Sequence, residues 1–358
     1  MFIKILAILI LLISILLKTA YSNDIILRDL ISLNNPWGLS FLNSNQLIIT
    51  EKSGNIKLFN ITENKISNIK HNLDISDKGQ GGLLDVLCNK ENIYVTYSER
   101  IEKGKSSTSI AVAKYDRNNL DFSNIFRSLP PIKSGYHFGS RIIIKDDNIY
   151  ASIGERGKKE IAQNPTEHPG SIIRINLDGS IPMDNPKFVN KTNWASEVFQ
   201  IGVRNPQGMA LSPFNSKIYI SNHGARGGDW FGEVEYGTNY GWPILGWGGT
   251  NYSGTKIGPK WEKGFKKAIH YWVPSIAISA IQIYKGKEFE EWNNYALISS
   301  LKNQSLRILD FKDISDVKEN IIFSDKIGRI RDIEIHPYSG KIYLLSERKL
   351  WIMEKSNN

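Results

Sequence analysis

Along most of this chain the apolar residues come in short bursts, each introduced by a polar turn residue and closed by Ser or Thr. The phrase stands at Gln46-Leu47-Ile48-Ile49-Thr50, Asn92-Ile93-Tyr94-Val95-Thr96 and Asn148-Ile149-Tyr150-Ala151-Ser152. It returns at Lys217-Ile218-Tyr219-Ile220-Ser221, Asn294-Tyr295-Ala296-Leu297-Ile298-Ser299 and Lys341-Ile342-Tyr343-Leu344-Leu345-Ser346. β-Branched and aromatic runs bounded by turn residues read as strands. Each has an apolar partner just upstream: Gly38–Phe41, Gly82–Val86, Arg141–Ile144, Gly208–Leu211, Ala280–Tyr284 and Asp332–Ile335. Turns such as Lys145-Asp146-Asp147 and Pro337-Tyr338-Ser339-Gly340 separate the two members of a pair. A third strand often follows, as at Asn55–Phe59, Ser171–Ile175 and Leu306–Leu309. No segment carries a sustained amphipathic helical period.

Successive phrases lie 46, 56, 69, 76 and 48 residues apart. A multi-strand unit repeated six times at uneven spacing predicts an all-β fold, a six-bladed β-propeller with long inter-blade loops. The competing β-sandwich gives strands at regular spacing rather than a repeated unit. The two widest intervals hold Gly- and Pro-rich stretches, and long loops on a rigid domain tend to be functional.

The N-terminus departs from this pattern. Lys4 precedes an apolar run from Ile5 to Leu17, interrupted by Ser14 alone and followed by Lys18-Thr19-Ala20-Tyr21-Ser22. Small residues at Ala20 and Ser22 suit a cut after Ser22, the layout of a secretory signal peptide. The alternative is an uncleaved anchor, but 13 residues fall short of the roughly 20 needed to span a bilayer. The expectation is one propeller domain over residues 23–358, exported to a periplasmic or extracellular space, with no stable membrane span after cleavage. Cleavage removes Lys4 and Lys18, lowering the net charge from +9 to +7. The basic excess is spread through an Ile-, Lys- and Asn-rich chain and does not argue for a nucleic-acid partner. One cysteine, Cys88, excludes an intramolecular disulfide framework and a cysteine-built zinc site. Its place in Leu84-Asp85-Val86-Leu87-Cys88 points to core packing.

In a propeller, loops from every blade meet at one mouth of the axial channel, so the candidate chemistry lies just outside the strands. Gly79-Gln80-Gly81-Gly82, His137-Phe138-Gly139-Ser140-Arg141 and Gly202-Val203-Arg204-Asn205-Pro206-Gln207-Gly208 stand there. So do His223-Gly224-Ala225-Arg226-Gly227-Gly228-Asp229, Ser300-Leu301-Lys302-Asn303-Gln304-Ser305 and Gly328-Arg329-Ile330-Arg331-Asp332. His137 can act as a base near neutral pH, and Glu155, after the next strand, can orient it. Arg204, Lys302, Arg329 and Arg331 can clamp a polyanion. Each also has an ordinary reading: a structural histidine, a turn at Arg204-Asn205-Pro206, an exposed ladder pair at Arg329 and Arg331. An HxxxH metal spacing, a Walker loop, a GxSxG elbow and a dinucleotide GxGxxG are all absent.

Taken as an ordered set, these motifs resemble the soluble pyrroloquinoline-quinone-dependent sugar dehydrogenases, the aldose (glucose/sorbosone) dehydrogenase family. The resemblance covers about residues 30–355. It rests on Asn35-Pro36-Trp37-Gly38-Leu39, Gln80-Gly81-Gly82-Leu83, His137-Phe138-Gly139, and Asp178-Gly179-Ser180-Ile181-Pro182-Met183-Asp184-Asn185-Pro186. Arg204-Asn205-Pro206-Gln207-Gly208, Asn239-Tyr240-Gly241-Trp242-Pro243, Tyr271-Trp272-Val273-Pro274-Ser275-Ile276-Ala277, Leu301-Lys302-Asn303-Gln304-Ser305 and Arg329-Ile330-Arg331-Asp332 extend it.

The resemblance implies a six-bladed propeller that oxidises aldoses to lactones, with a tricarboxylate quinone as cofactor. It makes His137 the general base, Arg204 the group polarising quinone and substrate, and Gln80 a neighbour of the reacting centre. Asn205, Lys302, Arg329 and Arg331 would bind the quinone beside Gln80 and Arg204. A calcium ion would rest partly on backbone carbonyls of Gly224 and Ala225. Trp272 is either a wall of the sugar pocket or core packing. A separate electron acceptor, of unstated kind, must reoxidise the quinone.

The chain departs from the family pattern in several places. Ala225 replaces a common Pro; Trp230-Phe231-Gly232 replaces an acidic residue and Asn, which bears on additional calcium sites. Glu155 stands where some members have Asp, and Ile278 where the family has Pro. Two other classes compete: a non-catalytic ligand-binding propeller, and a calcium-dependent propeller hydrolase. The first has no use for so many converging cations. The second needs a carboxylate cluster, for which Asp229 is the strong candidate.

Overall fold

The computed structural model describes residues 25–356. The signal-peptide reading of residues 1–22 therefore lies outside the described residues. The six phrases and their upstream partners form the two inner strands of six antiparallel sheets. Blade 1 runs Pro36–Asn43, Gln46–Glu51, Ile56–Asn60 and Lys65–His71, with the short Asn119–Leu120 added parallel at its edge. Blade 2 runs Leu83–Asn89, Asn92–Arg100, Ser106–Lys114 and Ser123–Arg127; blade 3 runs Gly139–Lys145, Asn148–Ile153, Ser171–Asn176 and Val198–Ile201. Blade 4 runs Pro206–Leu211, Ile218–Asn222, Asp229–Glu233 and His270–Trp272; blade 5 runs Ile278–Ile283, Ala296–Ser300, Ser305–Asp310 and Lys318–Ser324. Blade 6 holds Asp332–Ile335, Ile342–Leu345 and Lys349–Lys355. Its outer strand is Ile25–Ser32, from the other end of the chain, paired antiparallel from Ile25 against Lys355 to Ser32 against Lys349. That joint closes the ring and leaves no open sheet edge between first and last blades.

Blades pack face to face, so an inner strand is covered on both sides. That is why the phrases read as continuous apolar runs rather than alternating ones. Ile218–Asn222 and Ile342–Leu345 are buried at every position, whereas the outer strand Lys65–His71 buries only Ile69. Apolar contacts such as Tyr219, Phe231, Ile281 and Phe311 fill the space between blades 4 and 5. Cys88 is half-buried against the core between blades 1 and 2, where burial pushes its thiol up to about 12. Among the described residues the one α-helix is Pro186–Val189, and no helix is long and apolar enough to cross a membrane.

In four of the six phrases the closing Ser or Thr joins blade to blade. Thr50 Oγ1 accepts the Gly38 N–H (3.0 Å) and donates to the Leu84 carbonyl of blade 2. Thr96 Oγ1 accepts from Asp85 N–H (2.9 Å) and donates to the Ser140 carbonyl of blade 3 (2.7 Å). Ser152 does the same between Arg141 N–H (3.0 Å) and the Pro206 carbonyl of blade 4 (3.4 Å). Ser221 donates to the Ser279 carbonyl of blade 5 (2.6 Å), and Ser279 Oγ passes the chain to the Ile330 carbonyl beside blade 6 (2.6 Å). The last joint uses a carboxylate instead: Asp332 Oδ2 accepts the Leu39 N–H of blade 1 (2.9 Å). Each such bond is worth about 1 kcal/mol net, and each satisfies a backbone group that would otherwise be buried unpaired.

Opposite these hydroxyls, five of the six innermost strands carry one extra residue, a β-bulge. Bulges re-aim side chains. Here they deliver Trp37, Asp85, Arg141 and Gln207 to the axis, where they border the principal cavity or close the channel below it.

Candidate active site

The cavity lies at the end of the axis where the innermost strands begin. Its volume is about 510 Å3. Trp37 and Lys52 come to it from blade 1, Gln80 from the turn before blade 2, and His137 from the turn before blade 3. Arg204, Asn205 and Gln207 enter at blade 4, and Arg329 and Arg331 just before blade 6.

His137 is held from three sides. Its Nδ1 lies 2.8 Å from Glu155 Oε1, and its backbone N–H donates to Gln80 Oε1 at 2.8 Å. Its carbonyl accepts the Arg156 N–H (3.2 Å). The backbone is left-handed at His137 (φ 49°), a sparsely populated region for a residue with a side chain. Gly154 makes this path passable: a Cβ there would sit 2.1 Å from the His137 carbonyl oxygen. Arg156 clamps the approach. It donates to the carbonyls of Tyr136 (3.0 Å), Ser106 (2.9 Å) and Ser134 (2.6 Å), and its guanidinium lies 3.6 Å over the Phe138 ring.

Burial lowers the His137 pKa below the ordinary imidazole value; the Arg204 charge works in the same direction and Glu155 against it. The ring is therefore neutral near pH 7. With Nδ1–H directed to the carboxylate, Nε2 keeps its lone pair for the cavity. Glu155 itself is 1% exposed, and its second oxygen has no partner.

The rest of the wall is cationic. Arg204 lies over the Trp242 ring at 5.4 Å, with Nη1 3.4 Å from the His223 carbonyl; burial lowers its pKa, opposed by Glu155. Arg331 Nη1 donates to Gln207 Oε1 at 3.2 Å, and burial together with the Arg141 and Arg329 charges pulls Arg331 down to about 10. Arg329 pairs with Glu347 at 2.9 Å on the rim. Asn205 Oδ1 accepts the Gly139 N–H at 3.1 Å, tying the His137 turn to blade 4. Glu347, already paired, is the one carboxylate on the wall, so the cavity carries an excess of positive charge suited to a polyanion.

Five expected residues are not in this wall: Glu155 stands behind His137, Gly224 and Ala225 lie just past His223, and Lys302 and Trp272 point elsewhere. Lys302 is exposed, and its neighbour Leu301 borders the cavity instead. Trp272 is 6% exposed in the core between blades 4 and 5, with its indole N–H on Glu319 at 3.0 Å, so it is packing and not a pocket wall. Lys52 was not anticipated at the site, and His223, though it heads one of the candidate motifs, was given no role there. Lys52 lines the wall with Nζ on the Asp77 carbonyl (3.1 Å), its pKa lowered by burial. His223 also borders the cavity, with a buried, unpartnered Nε2 and a pKa lowered to about 4 by burial. A signal for both exists: they stand two residues after the Ser or Thr of a phrase, as Leu301 does.

Gly224 and Ala225 follow His223 in a tight loop. Asp229 organises that loop, accepting from Gly224 N–H (2.8 Å), Ser275 Oγ (2.7 Å) and Ile278 N–H (3.0 Å). Fully buried and committed, Asp229 is not free to serve a hydrolase, and Trp230 and Phe231 continue into the core. No group of three or more His, Cys, Asp or Glu among the described residues can hold a metal.

A six-bladed propeller with an oriented histidine among cations at one axial mouth defines a class, the small-molecule enzymes that work at a propeller axis. Comparison with known proteins narrows it. The model of the Glucose / Sorbosone dehydrogenase family matches residues 33–351, and the chain belongs to that family of sugar-oxidising oxidoreductases. It is 32% identical to aldose sugar dehydrogenase YliI of Escherichia coli, over 90% of this chain and 89% of that protein. It is 26% identical to quinoprotein glucose dehydrogenase B of Acinetobacter calcoaceticus, over 88% of this chain and 84% of that one. The apo crystal structure of the soluble aldose sugar dehydrogenase from Escherichia coli superposes with a TM-score of 0.87 at 30% identity, covering 93% of this chain and 100% of the other.

Proposed function

We propose that this protein oxidises the anomeric C–OH of an aldose to the lactone, with pyrroloquinoline quinone bound in the axial cavity and His137 as the base. The observation that carries the reading is the His137 ring, tied through Nδ1 to Glu155 with Nε2 left for a substrate in a cation-lined cavity. The quinoprotein among the relatives supports the cofactor. When bound, the quinone supplies a two-electron hydride acceptor, and a calcium ion on it a Lewis acid.

The chain's own residues supply the rest. His137 Nε2 takes the proton of the anomeric hydroxyl while the C–H bond breaks with its electron pair. The C–O bond becomes a carbonyl, and the histidine leaves the step as imidazolium, beside Glu155. Arg204 stabilises the negative charge growing on oxygen. Arg204, Asn205, Arg331, Arg329 and Lys52 fit the carboxylates of the quinone, and Gln80 borders the sugar. Among the described residues no side-chain cluster is built for a metal, and a calcium ion would rest on the Gly224 and Ala225 carbonyls together with oxygens of the cofactor. We assign the activity to a space outside the cytoplasm, because residues 1–22 read as a cleaved signal.

The test is direct. Apoprotein given pyrroloquinoline quinone and calcium reduces an artificial dye with at least one member of an aldose panel. No quinone binding, and no dye reduction with any aldose, would overturn the proposal.

A further inference from the structure

Below the cavity the channel is closed by a buried cation for which the reaction has no use. Arg141, 4% exposed, leaves the bulge of blade 3 and spans the axis. Its Nη1 reaches Asp85 Oδ1 of blade 2 at 2.9 Å and Asp332 Oδ1 of blade 6 at 2.7 Å. Its Nε donates to the Gln207 carbonyl of blade 4 at 2.8 Å, and its Nη2 to the Arg331 carbonyl at 2.8 Å. Its guanidinium stacks 4.3 Å over Trp37 of blade 1. The two carboxylates are held in turn: Asp85 Oδ2 accepts the Ile142 N–H (2.9 Å), and Asp332 Oδ2 the Leu39 N–H (2.9 Å).

Three of these contacts belong to the cavity wall: Trp37, Gln207 and Arg331. Arg141 fixes the backbone of Gln207 and of Arg331, and the side chains of those two residues then bond each other at 3.2 Å. The result is a closed loop from Arg141 through both wall residues and back. Residues 327–331 form no strand, and the Arg331 N–H is tied separately to the Leu345 carbonyl (2.7 Å), so Arg141 holds the carbonyl side of Arg331 and, through Gln207, its guanidinium.

We propose that Arg141 is the positioning residue of the anion-binding side of the site, holding Arg331 and Gln207 in place for a carboxylate of the cofactor. It rests on the reading that Arg331 meets the quinone. Arginine is required because only a planar fork presents Nε, Nη1 and Nη2 to acceptors on three blades at once; a lysine ammonium is a point donor. Loss of charge-assisted hydrogen bonds of this kind is worth roughly tenfold or more in an equilibrium constant.

The experiment is a titration of the full-length apoprotein with pyrroloquinoline quinone, followed by steady-state kinetics at saturating quinone. For Arg141→Lys we expect quinone affinity to fall about 10- to 100-fold, with the sugar KM of the loaded enzyme within about twofold of wild type. In an Arg331→Ala background the same substitution should cost less than about threefold, because the residue it positions is gone. Arg141→Lys that folds and binds quinone as wild type does overturns the inference, as does full additivity with Arg331→Ala. Should Arg141→Lys fail to fold, Asp332→Asn loosens the same fork from one side, and an unchanged quinone affinity there also overturns it. Wild-type apoprotein that binds no quinone sinks the proposed function instead, so the two failures are told apart.

Discussion

Among the described residues two histidine–glutamate pairs stand apart, and one of the two faces the cavity. His137 Nδ1 lies 2.8 Å from Glu155, and His168 Nε2 lies 3.3 Å from Glu197. His168 spends both nitrogens. Its Nδ1 accepts the Leu129 N–H at 2.8 Å, which leaves Nε2–H for the glutamate, and its ring edge packs on Phe126 at 5.1 Å. It is a staple between the end of blade 2 and the outer part of blade 3. His137 spends one nitrogen and keeps the other. A histidine–carboxylate contact is therefore no sign of catalysis by itself; the sign is a spare nitrogen beside a cavity, with cations around it.

The largest expected effect is at His137. His137→Ala removes the proton acceptor, and general-base catalysis is typically worth about 10²–10⁴-fold. Turnover with the best aldose should fall by about 10³ while quinone binding to the apoprotein stays near wild type. His168→Ala should leave turnover within about twofold and lower thermal stability. Equal loss of turnover in both variants would erase the distinction between the pairs.

Glu155→Gln gives a smaller and more specific change. Burial lowers the His137 pKa and Glu155 raises it, so removing the carboxylate charge lowers it further. The base must be neutral to act. Activity therefore rises with pH through a midpoint below the ordinary imidazole value, and in Glu155→Gln that acid limb moves to still lower pH. The plateau rate should drop about tenfold, since a weaker base accepts the proton less readily. A pH profile whose limb stays in place, or moves up, breaks the assignment of Glu155 to His137.

The contrast between the pairs also shows what could be read beforehand. The twelve inner strands were legible because blades cover them on both faces, so each reads as an uninterrupted apolar burst. His137, Glu155, Arg204 and Arg331 were legible because they flank those strands, and the cavity does bring them together or next to one another. What failed is a matter of direction and distance. Trp272 sits on His270–Trp272, the outermost strand of blade 4 and far from the axis, while Leu301 and Lys302 are neighbours in the bend after Ala296–Ser300. The motif locates the segment but not which of the two residues turns inward. The closing strand Ile25–Ser32 was missed because its partner lies at the other end of the chain, and no local pattern encodes that pairing. The Arg141 hub was missed because its acceptors come from three other blades and include backbone carbonyls.

The exchange of Lys302 for Lys52 can be tested against the same scale. Lys52 lines the cavity and Lys302 does not. Lys52→Ala should weaken quinone binding by several-fold, up to about tenfold at low salt, and less as salt rises. Lys302→Ala should stay within about twofold. The reverse ranking in a quinone titration would return Lys302 to the site.

The smallest effect on activity, and the sharpest on stability, belongs to Glu197. The hydrogen bond from His168 is the main reason its pKa falls from 4.5 to about 2, against a burial that works the other way. A carboxylate whose folded pKa is depressed stabilises the fold above its unfolded value, and that contribution fades as pH drops through the folded one. The window is thus from about 4.5 down to about 2, with the folded state losing its advantage as the pair is protonated. Glu197→Gln keeps the shape and removes the charge. Its stability at neutral pH should be lower by about 2 kcal/mol or less, and the gap to wild type should close across that acid window. Thermal unfolding of the two proteins as a function of pH reads this out, with turnover unchanged in Glu197→Gln. A stability gap that persists at pH 2, or a loss of turnover at neutral pH, would mean that the second pair is something other than a staple.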